Sequence, residues 1–222
     1  MKKLLVVISL ISVCFSCKQK TETIQPEKEL STAEKIANAH GFENWENVSE
    51  IQFTFNVDKD SSHFERTWIW QPKTNQVTSI TKKDTVNYNR RKVDSTLTKT
   101  DGGFSNDKYW LLVPFQLIWD HGATLSESTT ETAPISKNQL NKITITYPNE
   151  GGYTPGDAYD IYFGNDYLIK EWIFRRGNQK KPSMITTFEN YQDYNGIKLA
   201  KDHKKTKENW NLNFTNIKIK KE

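Results

Sequence analysis

The stretch EIQFTFNV, residues 50–57, decides the fold because apolar and polar side chains alternate along it without interruption. In an extended strand, alternate side chains point to opposite faces, so Ile51, Phe53, Phe55 and Val57 share one face. A strand that is apolar on one face and polar on the other is typical of an antiparallel sheet with one solvated side. The stretch therefore predicts a mainly β protein.

The same period-two pattern recurs from this stretch to the C-terminus, with turn residues between the segments that carry it. The pair Asn195-Gly196, for example, is a strong signal for a tight β-hairpin. The other segments with this pattern are HFERTWIW (63–70), QVTSI (76–80), DTVNY (84–88), NKITITY (141–147), DAYDIYF (157–163), YLIKEWIF (167–174), SMITTFENY (183–191), GIKLAKDHK (196–204) and NWNLNFTNIKI (209–219). They predict about ten strands in a curved antiparallel sheet, since an open sheet of that size does not stay flat. The concave face of such a curled sheet must be filled by side chains, helices or a ligand.

A short helix is predicted before the first strand. Ser31 and Glu34 have the spacing of a capping box, in which each side chain binds the backbone N–H of the other residue. Gly41 is a typical residue just beyond a helix end. We therefore predict a helix over about residues 32–40.

The stretch DKYWLLVPFQLIWD, residues 107–120, is the most apolar part of the chain after its N-terminus. Tyr109, Leu112 and Phe115 follow near-helical spacing, but Pro114 interrupts a continuous helix, so we predict a helical insert of two short turns. Three roles fit such an insert: a plug in the core, a wall of an apolar cavity, or a segment pressed on a membrane surface.

Asp107 and Asp120 bracket this apolar insert. Two carboxylates that line a cleft can act as acid and base, but charged residues at the ends of a short apolar segment are commonly its solvated ends. We interpret them as solvated ends. The chain has no Gly-x-Ser-x-Gly nucleophile elbow either. We therefore predict that the protein is not an enzyme.

The N-terminal residues 1–17, MKKLLVVISLISVCFSC, have a basic start, an apolar run and a small-residue junction, which is typical of a secretory signal. Cys14 and Cys17 are the only cysteines. We interpret Cys17 as a lipobox cysteine that carries acyl chains, with cleavage before Cys14, a plain signal peptide or an uncleaved anchor as alternatives. Cleavage at Cys17 removes two lysines and no acid, which lowers the formal charge from +4 to +2. No basic stripe is evident, so nucleic acid is not an expected partner.

The predicted organisation is a lipoprotein signal peptide (1–16), a lipidated flexible tether (17–30) and a single β domain (31–222). The tether is polar and contains a proline, so it has too little apolar content to pack. Lys18 follows the predicted lipidated cysteine, in place of the aspartate linked with inner-membrane retention in enteric bacteria. We therefore expect a cell-envelope protein, lipid-anchored to the outer membrane.

Five motifs resemble an uncharacterised family of Bacteroidota lipoproteins, a domain of unknown function, over nearly all of the chain from about His40 onwards. These motifs are HGFENWENVSEIQFTFNV, FERTWIWQPKTNQVT, NDKYWLLVPFQLIWD, EGGYTPGDAYDIYF and FENYQDYNGIKLAKDHK. The order of elements is also distantly similar to the LolA/LolB lipoprotein-carrier superfamily. That resemblance implies a half-barrel whose concave face holds acyl chains beneath lid helices.

The candidate ligand-binding residues follow from strand parity and from the apolar insert. Arg66 shares a predicted strand face with aromatic residues, where its guanidinium binds a head group or stacks on a ring if that face lines a cavity. If the face is solvated, Arg66 is a surface residue with a buried stem. The other candidate wall residues are Phe53, Phe55, Phe64, Trp68, Trp70, Tyr109, Trp110, Phe115 and Trp119.

No cofactor or metal is predicted. His40, His63, His121 and His203 are scattered and do not form a zinc motif. The loop EGGYTPGDAYD, residues 150–160, has glycines and carboxylates but not the spacing of a calcium loop, and we interpret it as a tight hairpin. The predicted function is non-catalytic binding of an apolar ligand, an acyl chain or lipid, by a membrane-anchored lipoprotein. The alternative is a structural or assembly module with a packed core and an unknown protein partner.

Overall fold

A computed structural model describes residues 29–151 and 154–222 of the chain. The predicted signal peptide, the predicted lipidated Cys17 and most of the predicted tether lie outside the described residues. Among the described residues, no helix combines the length and the apolar character that crossing a membrane requires.

The predicted N-terminal helix is present as α1 (Thr32–Ala39). Its capping box is complete: the Glu34 backbone N–H donates to the Ser31 hydroxyl at 3.2 Å, and the Ser31 N–H donates to the Glu34 carboxylate at 2.7 Å. Gly41 follows with a φ of 84°, a left-handed conformation that glycine adopts without steric cost. The helix therefore begins and ends on local sequence signals.

The predicted interruption of the apolar insert near Pro114 is present as a kink. The insert lies in helix α2 (Thr98–Trp119), in which Leu112 has non-helical backbone angles and separates two helical segments. The helix begins before the insert, at Thr98, so it is longer than the two short turns that were predicted. Pro114 lacks an N–H and distorts the preceding turn. The distortion is confined to the backbone angles of Leu112, and the chain continues as a helix after it. Burial of nearly the whole segment after Asn106 stabilises the kinked helix.

Fourteen strands form in the described part of the chain, in agreement with the predicted mainly β fold. Every quoted segment contains a strand, residues 196–204 contain two, and the strands at residues 124–125, 129–132 and 192–194 were not predicted. The strands are β1 (Val48–Lys59), β2 (Ser62–Gln71), β3 (Gln76–Ile80), β4 (Thr85–Asn89), β5 (Thr124–Leu125), β6 (Thr129–Thr132), β7 (Gln139–Thr146), β8 (Ala158–Phe163), β9 (Ile169–Arg175), β10 (Met184–Thr187), β11 (Gln192–Tyr194), β12 (Ile197–Leu199), β13 (Asp202–Lys204) and β14 (Trp210–Lys221). Short 3₁₀ helices occupy Phe42–Asn47, Arg90–Lys92 and Arg176–Asn178.

The strands form two antiparallel sheets of six strands each and one small hairpin. The first sheet has the order β13-β14-β1-β2-β3-β4, and the second has the order β10-β9-β8-β7-β5 with β6 paired to β7. In the described part of the chain, an isolated antiparallel bridge between Glu189 and Asp202 joins their edges, with the Glu189 N–H donating to the Asp202 carbonyl at 2.9 Å. The two sheets thus continue one another as an open, unclosed antiparallel surface, as the sequence predicts.

Helix α2 packs against both sheets and so occupies the space between them. On the side of the first sheet, the Phe104 ring lies 5.4 Å from the Trp68 ring and 5.5 Å from the Trp70 ring. On the side of the second sheet, the Trp110 ring lies 4.4 Å from the Trp172 ring. Burying one such aromatic side chain contributes about 2–3 kcal/mol, so these contacts hold the helix firmly in place.

Candidate functional site

A cavity of about 730 Å³ lies between the first half of α2 and strands β8, β9 and β10 of the second sheet. Its lining combines aromatic side chains with a polar edge. The lining residues are Arg90, Asp101, Gly102, Ser105, Asn106, Tyr109, Trp110, Thr154, Tyr159, Trp172, Phe174, Arg176 and Met184.

The apolar wall of the cavity is a stack of rings on one face of the second sheet. Tyr159 in β8 is paired in register with Phe174 in β9, and their rings stack at 5.0 Å. Trp172, two residues before Phe174, shares that face and lies 5.0 Å from the Tyr159 ring. Burial raises the pKa of the Tyr159 phenol, so the phenol stays protonated at neutral pH and the wall carries no charge.

The polar edge of the cavity contains one internal ion pair. The Arg90 guanidinium donates to the Asp101 carboxylate at 2.7 and 3.2 Å and to the Ser105 hydroxyl at 3.0 Å. The Arg90 guanidinium also lies 5.0 Å from the centre of the Phe104 ring. This pair attaches the short helix after β4 to the first turn of α2 and so fixes one rim of the cavity.

A second ion pair attaches α2 to the first sheet. Arg66 in β2 donates through Nε and Nη2 to the two oxygens of Asp107 and through Nη2 to the Gly103 carbonyl at 3.2 Å. The Trp68 indole N–H donates to the same carboxylate at 2.8 Å. The interpretation of Asp107 as a solvated end is therefore wrong, since its side chain is 0% exposed. Bidentate pairing and the indole bond compensate for removing this carboxylate from water.

A buried polar chain runs from Lys108 to the cavity wall. Lys108 Nζ donates to the Gln116 amide oxygen at 2.9 Å, and the Gln116 amide donates to Asp120 at 2.9 Å. The Tyr147 hydroxyl bonds to Asp120 at 2.7 Å and to the Tyr109 hydroxyl at 3.1 Å. Burial lowers the pKa of Lys108 to about 7. Asp120, predicted to be a solvated end, is instead a partly buried acceptor in this chain.

The structure brings two of the predicted wall residues, Tyr109 and Trp110, to the cavity. Phe64 is 49% exposed. Arg66 is 24% exposed and paired with Asp107, so its side chain is neither a lining residue of this cavity nor fully solvated. The other predicted wall residues belong to the core or pack against it: Phe53, Phe55, Trp68, Trp70, Phe115 and Trp119. The rings around Phe115 are in direct contact, for example with Trp119 at 5.7 Å.

Sequence reasoning missed the residues that the second sheet contributes to the cavity. Trp172 and Phe174 alternate in YLIKEWIF, so the parity argument used for the earlier strands identifies their shared face. Parity does not show which of many apolar faces borders a cavity, however. Arg176 lies directly after β9, and its side chain is exposed while also lining the cavity.

The histidines do not gather into a metal site. Within residues 29–151 and 154–222, no group of three or more His, Cys, Asp or Glu side chains is placed to hold a metal ion. His40 and His203 are buried, and burial lowers their pKa values to about 4 and about 3. Both side chains are therefore neutral members of the interior at neutral pH.

Comparisons with known proteins show the fold. No protein-family model and no curated protein matches the chain. Among solved structures, a LolA superfamily protein from Nitrosomonas europaea matches with a TM-score of 0.50 at 10% identity, over 87% of this chain and 96% of that chain. A DUF1329 family protein from Desulfovibrio piger matches with a TM-score of 0.44 at 9% identity, over 85% and 91%. A putative outer membrane lipoprotein-sorting protein domain from Vibrio parahaemolyticus matches with a TM-score of 0.44 at 9% identity, over 85% and 93%. The distant similarity to the LolA/LolB superfamily is thus confirmed for the fold.

Proposed function

We propose that this protein is a lipid-anchored, non-catalytic envelope protein that binds an acyl chain or another apolar ligand in the cavity between α2 and the second sheet. The observation that carries the proposal is the cavity itself, about 730 Å³ with a wall of stacked aromatic rings. That volume falls within the range of about 300–1,000 Å³ that is usual for small-molecule sites. The LolA-like fold supports the proposal, because the resemblance implies a concave face that holds acyl chains.

The site that we propose differs in location from the one predicted from the sequence. Under Trp68, Trp70 and Phe115, the space is filled by neighbouring rings, so we place the ligand on the opposite side of α2, against Trp110 and Trp172. An alkyl chain buried there gains about 0.8 kcal/mol for each methylene removed from water. Several methylenes are therefore enough for measurable binding after the cost of immobilising the chain.

Membrane attachment belongs to the same proposal. A cysteine that carries several acyl chains anchors a protein stably, and Cys17 has the sequence context for it. The anchored domain then presents its cavity close to a membrane surface, where apolar ligands are concentrated. We propose the outer membrane as the site of attachment.

Gly102 provides a direct test because it lines the cavity and a Cβ built on it meets nothing within 4 Å. The Gly102→Phe variant of the chain, in a Cys17→Ser background that avoids detergent, should fill cavity space without straining the fold. We expect displacement of a fluorescent fatty-acid probe to weaken at least about tenfold. Lys99→Phe is the matched control, since Lys99 is an exposed residue of the same helix that does not line the cavity.

Native mass spectrometry of the purified Cys17→Ser chain provides the second readout. Co-purified lipid, lost in Gly102→Phe and retained in Lys99→Phe, is the expected result. If neither lipid nor probe binds the unsubstituted cavity, the binding proposal fails. The packed core beneath Trp70 and Phe115 then favours the alternative, an assembly module with a protein partner.

A further inference from the structure

We propose that the ligand of this cavity is an anionic amphiphile whose charged group binds the Arg176 guanidinium at the cavity mouth. This inference rests on the proposed function, because it assigns the polar end of the ligand whose apolar end lies against the aromatic wall. The shared chemistry is an anionic oxygen next to an acyl chain, as in a fatty-acid carboxylate or a lipid phosphate.

Among the charged residues that line the cavity in the described chain, one arginine has no ion-pair partner. These charged residues are Arg90, Asp101 and Arg176. Arg90 and Asp101 neutralise each other through bonds of 2.7 and 3.2 Å. Within the described residues, no carboxylate lies within ion-pair distance of Arg176. The lining therefore carries a net charge of about +1, which favours a ligand of opposite charge.

Hydrogen bonds hold the backbone at Arg176 and Gly177, so the Cα atom of Arg176 has a defined position at the cavity. The Arg176 N–H donates to the Ser183 hydroxyl at 3.0 Å, and the next residue, Gly177, donates to the Asp157 carboxylate at 2.7 Å. The neighbouring Arg175 is used structurally, since its guanidinium donates to Asp160 at 2.9 and 3.2 Å. Of the two consecutive arginines, only Arg176 lines the cavity.

The head group decides what a ligand offers to Arg176. A pure hydrocarbon offers no hydrogen-bond acceptor to the guanidinium, whereas a carboxylate or phosphate offers several oxygens. Guanidinium groups bind such oxygens in a planar, bidentate way.

The experiment compares ligands with the same chain and different head groups. Palmitate, lysophosphatidic acid and the neutral alcohol hexadecanol are titrated by probe displacement into the Cys17→Ser chain and into Arg176→Gln, Arg176→Lys and Lys180→Gln in that background. Lys180→Gln removes one positive charge from an exposed position near Arg176 that does not line the cavity. Arg176→Lys keeps the charge but loses the planar guanidinium.

We expect at least one anionic ligand to bind about tenfold or more tightly than hexadecanol, the effect of one charge-assisted hydrogen bond. Arg176→Gln should abolish this preference without changing hexadecanol binding, Arg176→Lys should retain part of it, and Lys180→Gln should leave it intact. The anion that shows the larger preference identifies the head group as carboxylate or phosphate.

Two negative outcomes are distinguishable. If none of the three ligands binds, the proposed function fails and this inference fails with it. If hexadecanol binds as tightly as both anions, or if Arg176→Gln keeps the preference, the anion inference fails while the apolar site stands. Equal losses in Arg176→Gln and Lys180→Gln indicate general surface charge and also overturn the assignment to Arg176.

Discussion

The Arg66 guanidinium in β2 binds both carboxylate oxygens of Asp107 in α2, and Asp107 is fully buried. This pair is one of the polar links between the first sheet and α2, together with the Tyr88 hydroxyl of β4, which donates to Asp101 at 3.1 Å. The Arg66–Asp107 pair joins two residues far apart in the chain, on elements that otherwise meet through aromatic rings.

Replacing Arg66 with Met should destabilise the protein by about 3 kcal/mol, because it leaves the Asp107 carboxylate buried without a counter-ion. Urea denaturation at neutral pH measures the change in the free energy of unfolding. Lys204→Met is the control, since Lys204 pairs with Glu189 at the surface, where such pairs contribute about 0–1 kcal/mol. The double variant Arg66→Met/Asp107→Leu should recover part of the loss; a double variant as unstable as the sum of both single variants contradicts the account.

Lys108 should make stability rise with pH above neutrality. Burial lowers its pKa from 10.5 to about 7, so between these values the unfolded chain holds a proton that the folded chain has released. Unfolding then takes up a proton, and stability increases with pH in this window. Relative to a Lys108→Met variant, the protein should gain about 2–3 kcal/mol between pH 7 and pH 9. Lys99→Met, at an exposed position of α2, should keep the pH dependence of the unsubstituted protein. If the stability of Lys108→Met rises with pH as steeply as that of the unsubstituted protein, Lys108 is not the cause of the rise.

His203 should make the fold sensitive to acid. Burial lowers its pKa from 6.5 to about 3, so below pH 6.5 the unfolded chain binds a proton that the folded chain cannot. Stability is complete above that pH and falls as the pH decreases towards 3. His203→Gln should reduce the loss between pH 7 and pH 4.5 by about 2–3 kcal/mol, as measured by denaturation at each pH. His121→Gln, at an exposed site, should leave the profile unchanged.

Position 41 should not tolerate any residue larger than glycine. A Cβ at this position lies 1.8 Å from the Gly196 carbonyl oxygen, and the backbone has a φ of 84°. Gly41→Ala should therefore cost more than about 2 kcal/mol and lower the melting temperature. The matched substitution Gly102→Ala, in open space on α2, should stabilise by about 0.5–1 kcal/mol. Equal melting temperatures for the two variants would refute the steric explanation.

Cys17 should control attachment to the membrane. Replacing it with Ser removes the thiol that we propose is acylated, and the protein should then move from the membrane fraction to the soluble fraction. Fractionation followed by detection of the protein in each fraction measures this. Cys14→Ser is the control, because the proposal gives Cys14 no lipid. Continued anchoring of the Cys17 variant, or release of the Cys14 variant, would show that the lipobox assignment is wrong.

Much of the fold could be predicted from local patterns, because strand parity and turn residues can be recognised within short stretches of sequence. The segment 50–57 became the centre of β1, and the Asn195-Gly196 pair became a hairpin turn in which both residues have positive φ. The first half of α2 was missed because Gly102 and Gly103 weaken any helical signal there. Pro114 correctly indicated an interruption, which the structure has as a kink at Leu112.

The site was harder to predict than the fold, for two physical reasons. The burial of Asp107 depends on Arg66, which lies on a different element, and no local pattern reports such a pair. The position of the cavity depends on how well the rings on either side of α2 fill space. In the described part of the chain, the rings around Phe115 leave no cavity, whereas a cavity borders Trp172. Both groups of rings are equally apolar in the sequence, so the sequence does not distinguish them.

The isolated bridge between Glu189 and Asp202 gives α2 an additional role. This bridge, together with the Lys204 N–H that donates to the Thr187 hydroxyl at 3.0 Å, joins the two sheets along one edge. Away from that edge, α2 lies between the sheets, with Phe104 against the first sheet and Trp110 against the second. The size of these helix side chains therefore contributes to the distance between the two sheets, so substitutions in α2 can change that distance while every strand keeps its register.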